Sequence, residues 1–117
     1  MRYMMLVCSD DSVTLSEEEW AAMPSQTQAW VDEMDASGVR LIGNRLSPAS
    51  DATTVRVRGA DVLLADGPFA ETKEQIAGFD IIECADLDEA IEVAAKHPVA
   101  RIGTIELRPF WMEEAGN

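Results

Sequence analysis

The run Tyr3-Met4-Met5-Leu6-Val7-Cys8 has no polar face. Side chains alternate across a strand, so Tyr3, Met5 and Val7 line one face and Met4, Leu6 and Cys8 the other, and both faces need cover. Residues Ile76 to Cys84 repeat the demand, with Phe79 and Ile81 alternating with Ile82 and Cys84. Strands apolar on both faces belong inside a layered fold, and a chain of 117 residues has few elements with which to build the layers.

Two helical patterns are legible. Ser16 with Glu19 matches a capping box, and Trp20, Met23, Thr27, Trp30, Val31 and Met34 then recur mainly at three- and four-residue steps, which marks one face of a helix. Pro24 lacks an N–H and disfavours helical geometry at Met23, so a kink, or a short helix followed by a second, is expected there. Gly38 closes the element as a C-terminal cap. The second helix is capped by Asp86 with Glu89 three residues on, carries Leu87, Ala90, Ile91 and Ala94 as its apolar face, and is stopped by Pro98. Lys96 and His97 at its end supply cations that complement the partial negative charge of a helix C-terminus.

The remaining segments read as strands. Val39 to Leu46 forms one. Thr53 to Arg58 alternates cleanly, with Thr53, Val55 and Val57 opposed to Thr54, Arg56 and Arg58, and a turn at Gly59-Ala60-Asp61 returns the chain into Val62 to Ala65 as a hairpin closed by Asp66-Gly67-Pro68. Gly78 marks a bulge or a close approach of backbones in the Ile76 to Cys84 strand. Ile102 to Arg108 is the last strand, with Ile105 and Leu107 inward and Thr104, Glu106 and Arg108 outward, followed by the apolar Phe110-Trp111-Met112, an interface or a lid on the core.

The order is that of a single α+β domain over residues 1–117, a ferredoxin-like βαββαβ plan with an inserted β-hairpin. Both helices then cover the same sheet face. With no further helix in the sequence, the simplest cover for the opposite face is a second copy of the sheet, which predicts a C2 homodimer with an enclosed interior.

Composition excludes several functions. The 22 acidic residues against 9 basic ones give a net charge of −13, which repels a phosphate backbone, so no nucleic-acid partner is expected. No stretch reaches the roughly 18 apolar residues of a membrane span, and the N-terminus passes from Cys8 into Ser9-Asp10-Asp11 without a secretory pattern, so a cytoplasmic protein is expected. Cys8 and Cys84 lie in apolar strands without a nearby His or Cys at metal-binding spacing, and read as buried reduced thiols. The glycines are scattered and none opens a phosphate-binding loop or a dinucleotide fingerprint, so neither a cofactor nor a metal is expected.

Four residues stand out as carriers of chemistry. Asp66 at the hairpin end is first of all a turn former, and its catalytic alternative is a carboxylate aimed into a pocket, where burial raises its proton affinity and suits it to acid–base work. Glu71 and Lys73 are either a solvated loop or a ligand-binding rim, Lys73 offering a positive charge to an anionic substrate. His97, the single histidine, is either a helix cap or a ligand-binding side chain that titrates near neutrality.

The segment Asp66-Gly67-Pro68-Phe69-Ala70-Glu71-Thr72-Lys73-Glu74-Gln75, with Ala77-Gly78-Phe79 after it, resembles the signature of the YCII-related proteins in their DGPF subgroup. Gly38, Asp86-Leu87-Asp88-Glu89-Ala90, His97-Pro98 and Glu106 to Pro109 agree with it, so the resemblance covers nearly the whole chain. It implies a ferredoxin-like dimeric α/β barrel with a small-molecule pocket, in a family most of whose members lack an assigned reaction. It also implies a rival role, since some such domains accompany extracytoplasmic-function sigma factors: a protein-interaction module acting on a transcription regulator. The His-Asp pair proposed for the YciI-like branch does not carry over, because its His lies in the first helix and this chain has none before His97.

Overall fold

The computed structural model describes residues 1–10, 12–70 and 74–112. Among these residues the elements run β1 (Arg2–Asp10), α1 (Glu17–Ala36), β2 (Arg40–Arg45), β3 (Thr53–Arg58), β4 (Asp61–Asp66), β5 (Glu74–Glu83), α2 (Leu87–Ala95) and β6 (Thr104–Pro109), with short 3-10 turns at Ala49–Asp51 and Pro98–Arg101. β2, β5, β1 and β6 pair antiparallel in that order, and β3 and β4 form a separate two-stranded hairpin. This is the ferredoxin-like α+β plan with an inserted hairpin.

The sheet's helix-covered face holds the core. Tyr3, Met5, Ile82 and Cys84 pack with Trp30 and Met34 of α1 and with Ala90, Val93 and Ala94 of α2, and Ile105 and Leu107 close the β6 side. Both halves of the capping box at α1 are made: Ser16 Oγ accepts from the Glu19 N–H at 3.1 Å and Glu19 Oε1 accepts from the Ser16 N–H at 3.0 Å. At the other end Gly38 takes φ +76°, its N–H donates to the Asp35 carbonyl and the Val39 N–H to the Met34 carbonyl, satisfying carbonyls that the helix leaves open.

Pro24 neither kinks α1 into two helices nor ends it; the helix is continuous through it. Pro24 is exposed, so the carbonyl one turn back that loses its N–H donor can be hydrated, and burial of Trp30 and Met34 further along holds the helix together. Trp20, expected on the core face, is 61% exposed. The first turns of α1 lie beside the 3-10 turn Pro98–Arg101 rather than over the sheet. On α2 the expected apolar face is rotated: Ala90, Val93 and Ala94 are buried, whereas Leu87 and Ile91 are each 50% exposed. Small side chains at the contact let the helix approach the sheet closely.

His97 corrects the electrostatic reading of the α2 terminus. Its ring is buried, 4.8 Å from the Trp30 ring in an edge-on arrangement, and its Nδ1 accepts a hydrogen bond from the Val99 N–H, capping the following 3-10 turn. Burial lowers its pKa to about 4, so near neutral pH it is an uncharged acceptor, not a cation serving the helix end.

Two features of the strands position the site described below. β5 carries a bulge, since Val7 pairs with Gly78 but Cys8 with Ile76, and Gly78 also lies against the Asn44 carbonyl, where a Cβ would come within 3.0 Å. The bulge brings Ile76 onto the face of Cys8. The β3–β4 hairpin turns at Gly59, φ +61°, and leaves its large side chains open: Val55, Val57, Val62 and Leu64 are all more than half exposed.

Candidate functional site

Among the described residues no helix lies over the second sheet face. Cα partners directly opposite in an antiparallel sheet share a face, so the register yields rows of side chains. Arg108, Met4, Ile81 and Ile42 make one row across β6, β1, β5 and β2, and Glu106, Leu6, Phe79 and Asn44 make the next. Thr104, Cys8 and Ile76 make a third, shorter row. The central positions of this face, Met4, Leu6, Cys8, Phe79 and Ile81, are half-buried, in contrast to the buried Tyr3, Met5 and Ile82 on its back.

The result is an apolar floor with polar side chains along its β6 edge. Glu106 and Arg108, two residues apart on β6 and therefore on one face, form an ion pair. Thr104 Oγ1 donates to Glu74 Oε1 at 2.8 Å, tying β6 to β5 across the intervening strand at the level of Cys8. The Cys8 thiol feels these carboxylates: burial first, then Glu106 and Glu74, push its pKa above the ordinary thiol value, so it stays protonated and is not an activated nucleophile. Asn44 at the β2 edge adds an amide opposite Glu106 across the floor.

Of the residues singled out in the sequence, Asp66 ends β4, paired with Thr53 at the base of the hairpin, and is exposed. Register puts it on the same face as Val55, Val57, Val62 and Leu64. The hydrogen bonds of the turn that follows run through Gly67: its N–H donates to the Ala52 carbonyl at 2.6 Å and its carbonyl accepts from Thr54 Oγ1 at 2.8 Å. Glu71 and Lys73 lie outside the described residues. His97 belongs to the helix layer against Trp30, on the other side of the sheet from the open floor. The structure therefore does not bring Asp66 and His97 together.

Strand alternation in the sequence marks Glu106 and Arg108 alike as outward residues. The signal that could have promoted them was present, since outward positions of β6 lie on the same face as Met4 and Leu6 once the strand is placed beside β1. A second polar cluster, not signalled by local sequence, lies on the back of the sheet, where the buried Asp80 carboxylate accepts from Arg40 Nε at 2.8 Å and Arg40 Nη1 donates to Asp35 at 3.1 Å. Burial raises the Asp80 pKa despite its Arg40 partner. This cluster ties β2 to β5 and α1 under the helix layer and reads as structural. Among the described residues no group of three His, Cys, Asp or Glu side chains is arranged to hold a metal ion, and no helix is long and apolar enough to cross a membrane.

The family model of the YCII-related domain matches residues 1–113. An uncharacterized protein of Rhizobium meliloti is 36% identical over 121 residues, covering 99% of this chain and 97% of that protein. Among solved structures, 5-chloro-2-hydroxyhydroquinone dehydrochlorinase from Burkholderia phenoliruptrix, in complex with 2,5-dihydroxybenzoquinone, matches over 100% of both chains with a TM-score of 0.50 at 11% sequence identity, a likeness of fold.

Proposed function

This chain belongs to the YCII-related domain family, and from that premise we propose that it is a homodimer that binds a small organic molecule over the open face of its sheet. The observation that carries the reading is the floor itself: half-buried Met4, Leu6, Phe79 and Ile81 bordered by Glu106, Arg108 and Asn44, an apolar surface with a few convergent polar groups, which is the usual make-up of a ligand pocket. A second copy laid over this face turns an open floor into an enclosed cavity. The hairpin supports the same assembly, because an isolated two-stranded ribbon is marginal in water and this one carries Val55, Val57, Val62 and Leu64 on one exposed face. The dehydrochlorinase is an instance of the fold holding a small ring compound, which agrees with the class of ligand proposed here.

Acid–base chemistry is the reaction type this arrangement suits best. Asp66 stands on the hairpin face that a partner would cover, which is how its carboxylate would come to face a bound molecule as acid or base. Light scattering at micromolar concentration should return a mass near twice 12.8 kDa. Leu64→Glu, at a position 68% exposed in the single chain, should keep the helical and strand content and halve that mass. A wild-type monomer with a well-folded spectrum would sink the dimer. A metabolite panel in which no compound raises the melting temperature saturably would sink the pocket, since a ligand that binds only the folded state must stabilise it.

A further inference from the structure

We infer that the site on the open sheet face takes a single-ring organic acid, its ring lying on Met4, Leu6, Phe79 and Ile81 and its carboxylate held by Arg108. The inference rests on the proposal that this face is the floor of the ligand pocket, and adds to it the chemical class of the ligand.

Charge decides the polar end. In a chain with a net charge of −13, cations are scarce, and among the described residues the strands beside Met4 present two on this face, Arg2 and Arg108. Arg2 stands beyond the floor, opposite Glu83, to which it is ion-paired. Arg108 shares its row with Met4, Ile81 and Ile42, so it borders the apolar surface directly. Among the described residues its partner is Glu106, through one guanidinium nitrogen and one carboxylate oxygen. The guanidinium has five N–H donors in a planar fork, so that contact leaves most of the fork unused. A ligand carboxylate offers two oxygens in one plane and can be gripped bidentately. Both side chains of the ion pair are exposed, at 45% for Glu106 and 71% for Arg108, and a solvated pair of this kind is weak enough to be exchanged for a better one.

Size decides the apolar end. Neighbouring strands lie about 4.8 Å apart and alternate residues of one strand about 7 Å apart. The patch bounded by Arg108, Glu106, Ile81 and Phe79 spans two inter-strand steps in one direction and one residue pair in the other. That is the footprint of one six-membered ring with a substituent reaching the β6 edge. Phe79 offers an aromatic face and Met4 a thioether to a planar ring, both of which favour an unsaturated ring over a flexible chain.

The test uses benzoate and its neutral isostere benzamide as probes, titrated into the full-length protein and followed by the methyl resonance of Met4 and by the melting temperature. Benzoate should shift the Met4 resonance saturably and bind at least tenfold more tightly than benzamide. Arg108→Gln should erase that preference while leaving the circular dichroism spectrum unchanged, and Glu106→Gln, which releases the guanidinium, should tighten benzoate binding. Equal binding of the two probes to wild type, or an Arg108→Gln protein that still prefers benzoate, overturns the acid class and leaves the pocket standing. A Glu106→Gln protein with weakened benzoate binding overturns the exchange at Arg108. If neither probe perturbs Met4, the acid class is overturned, and the pocket reading falls with it when the metabolite panel is also silent.

Discussion

The two faces of the four-stranded sheet are built from equally apolar alternations and meet opposite fates. On one, Tyr3, Met5 and Ile82 are at most 2% exposed under α1 and α2. On the other, Met4, Leu6, Phe79 and Ile81 stay half-buried, with no helix among the described residues above them. The two cysteines show the same contrast. Cys84, on the helix side, is a core thiol that burial pushes up to about 11. Cys8, on the open side, is raised by burial together with Glu106 and Glu74, side chains that also border the floor. Hydrophobicity states that a face needs cover; what covers it depends on how many elements the chain has left. Here the chain's own helices serve one face, and the other is the face that the proposed ligand and second copy would cover.

The contrast breaks most visibly under truncation of one side chain from each face. Met5→Ala empties a fully buried position among α1, α2 and the sheet and should cost about 2–5 kcal/mol of folding stability. Leu6→Ala, its neighbour on the open face, gives up a half-covered side chain and should cost the single chain roughly 1 kcal/mol. Urea unfolding of both variants at a concentration below dimer dissociation reads the difference, and equal losses would show that the faces are equivalent within one chain.

The next effect sharpens the helix side through pH. The folded-state pKa of His97 is lowered from 6.5 to about 4 by burial. Between those values the unfolded chain binds more protons than the folded one, so stability should fall as pH drops from 6.5 towards 4, and the loss should level off below that. A depression of this size corresponds to at most about 3 kcal/mol. His97→Asn keeps a side-chain acceptor for the Val99 N–H and cannot titrate, so whatever its starting stability, its decline over this pH range should be shallower than that of wild type. Parallel pH profiles for the two proteins would place the acid sensitivity elsewhere.

Local rules made much of this fold legible. The capping box at Ser16 and Glu19, the C-terminal Gly38 and the alternation in Thr53 to Arg58 each depend on neighbours in sequence, and each is present in the structure. Non-local facts were out of reach. Whether Pro24 breaks a helix depends on whether the carbonyl it orphans is hydrated, and which side of α2 is buried depends on how closely Ala90 and Ala94 let it approach the sheet. The polar edge of the candidate site was hidden for a related reason. Glu106 and Arg108 look like solvent-facing residues until strand order places β6 beside β1, after which the same outward positions border Leu6 and Met4. His97 was conspicuous as the single histidine, yet its neighbours Trp30 and Val99 come together only through packing of α1 on the turn after α2.

The smallest expected change in stability lies at Asp66, where the hairpin's exposed stripe meets its base. The turn is held through Gly67, whose φ of +88° and whose bonds to Ala52 and Thr54 make no use of the neighbouring carboxylate. Gly67→Ala should therefore cost about 1–2 kcal/mol, the penalty of forcing a side chain into the left-handed region, whereas Asp66→Asn should stay within about 0.5 kcal/mol of wild type, as exposed substitutions usually do. Function should reverse that order. If Asp66 is covered by the partner's surface and acts as acid or base on the bound molecule, Asp66→Asn keeps the dimer mass and loses turnover, or binding of whichever compound the panel identifies, by roughly tenfold or more. Gly67→Ala, once folded, should retain both. An Asp66→Asn dimer that binds and turns over like wild type would leave the carboxylate without a chemical role and return the search to Glu106, the carboxylate beside Leu6 on the open face.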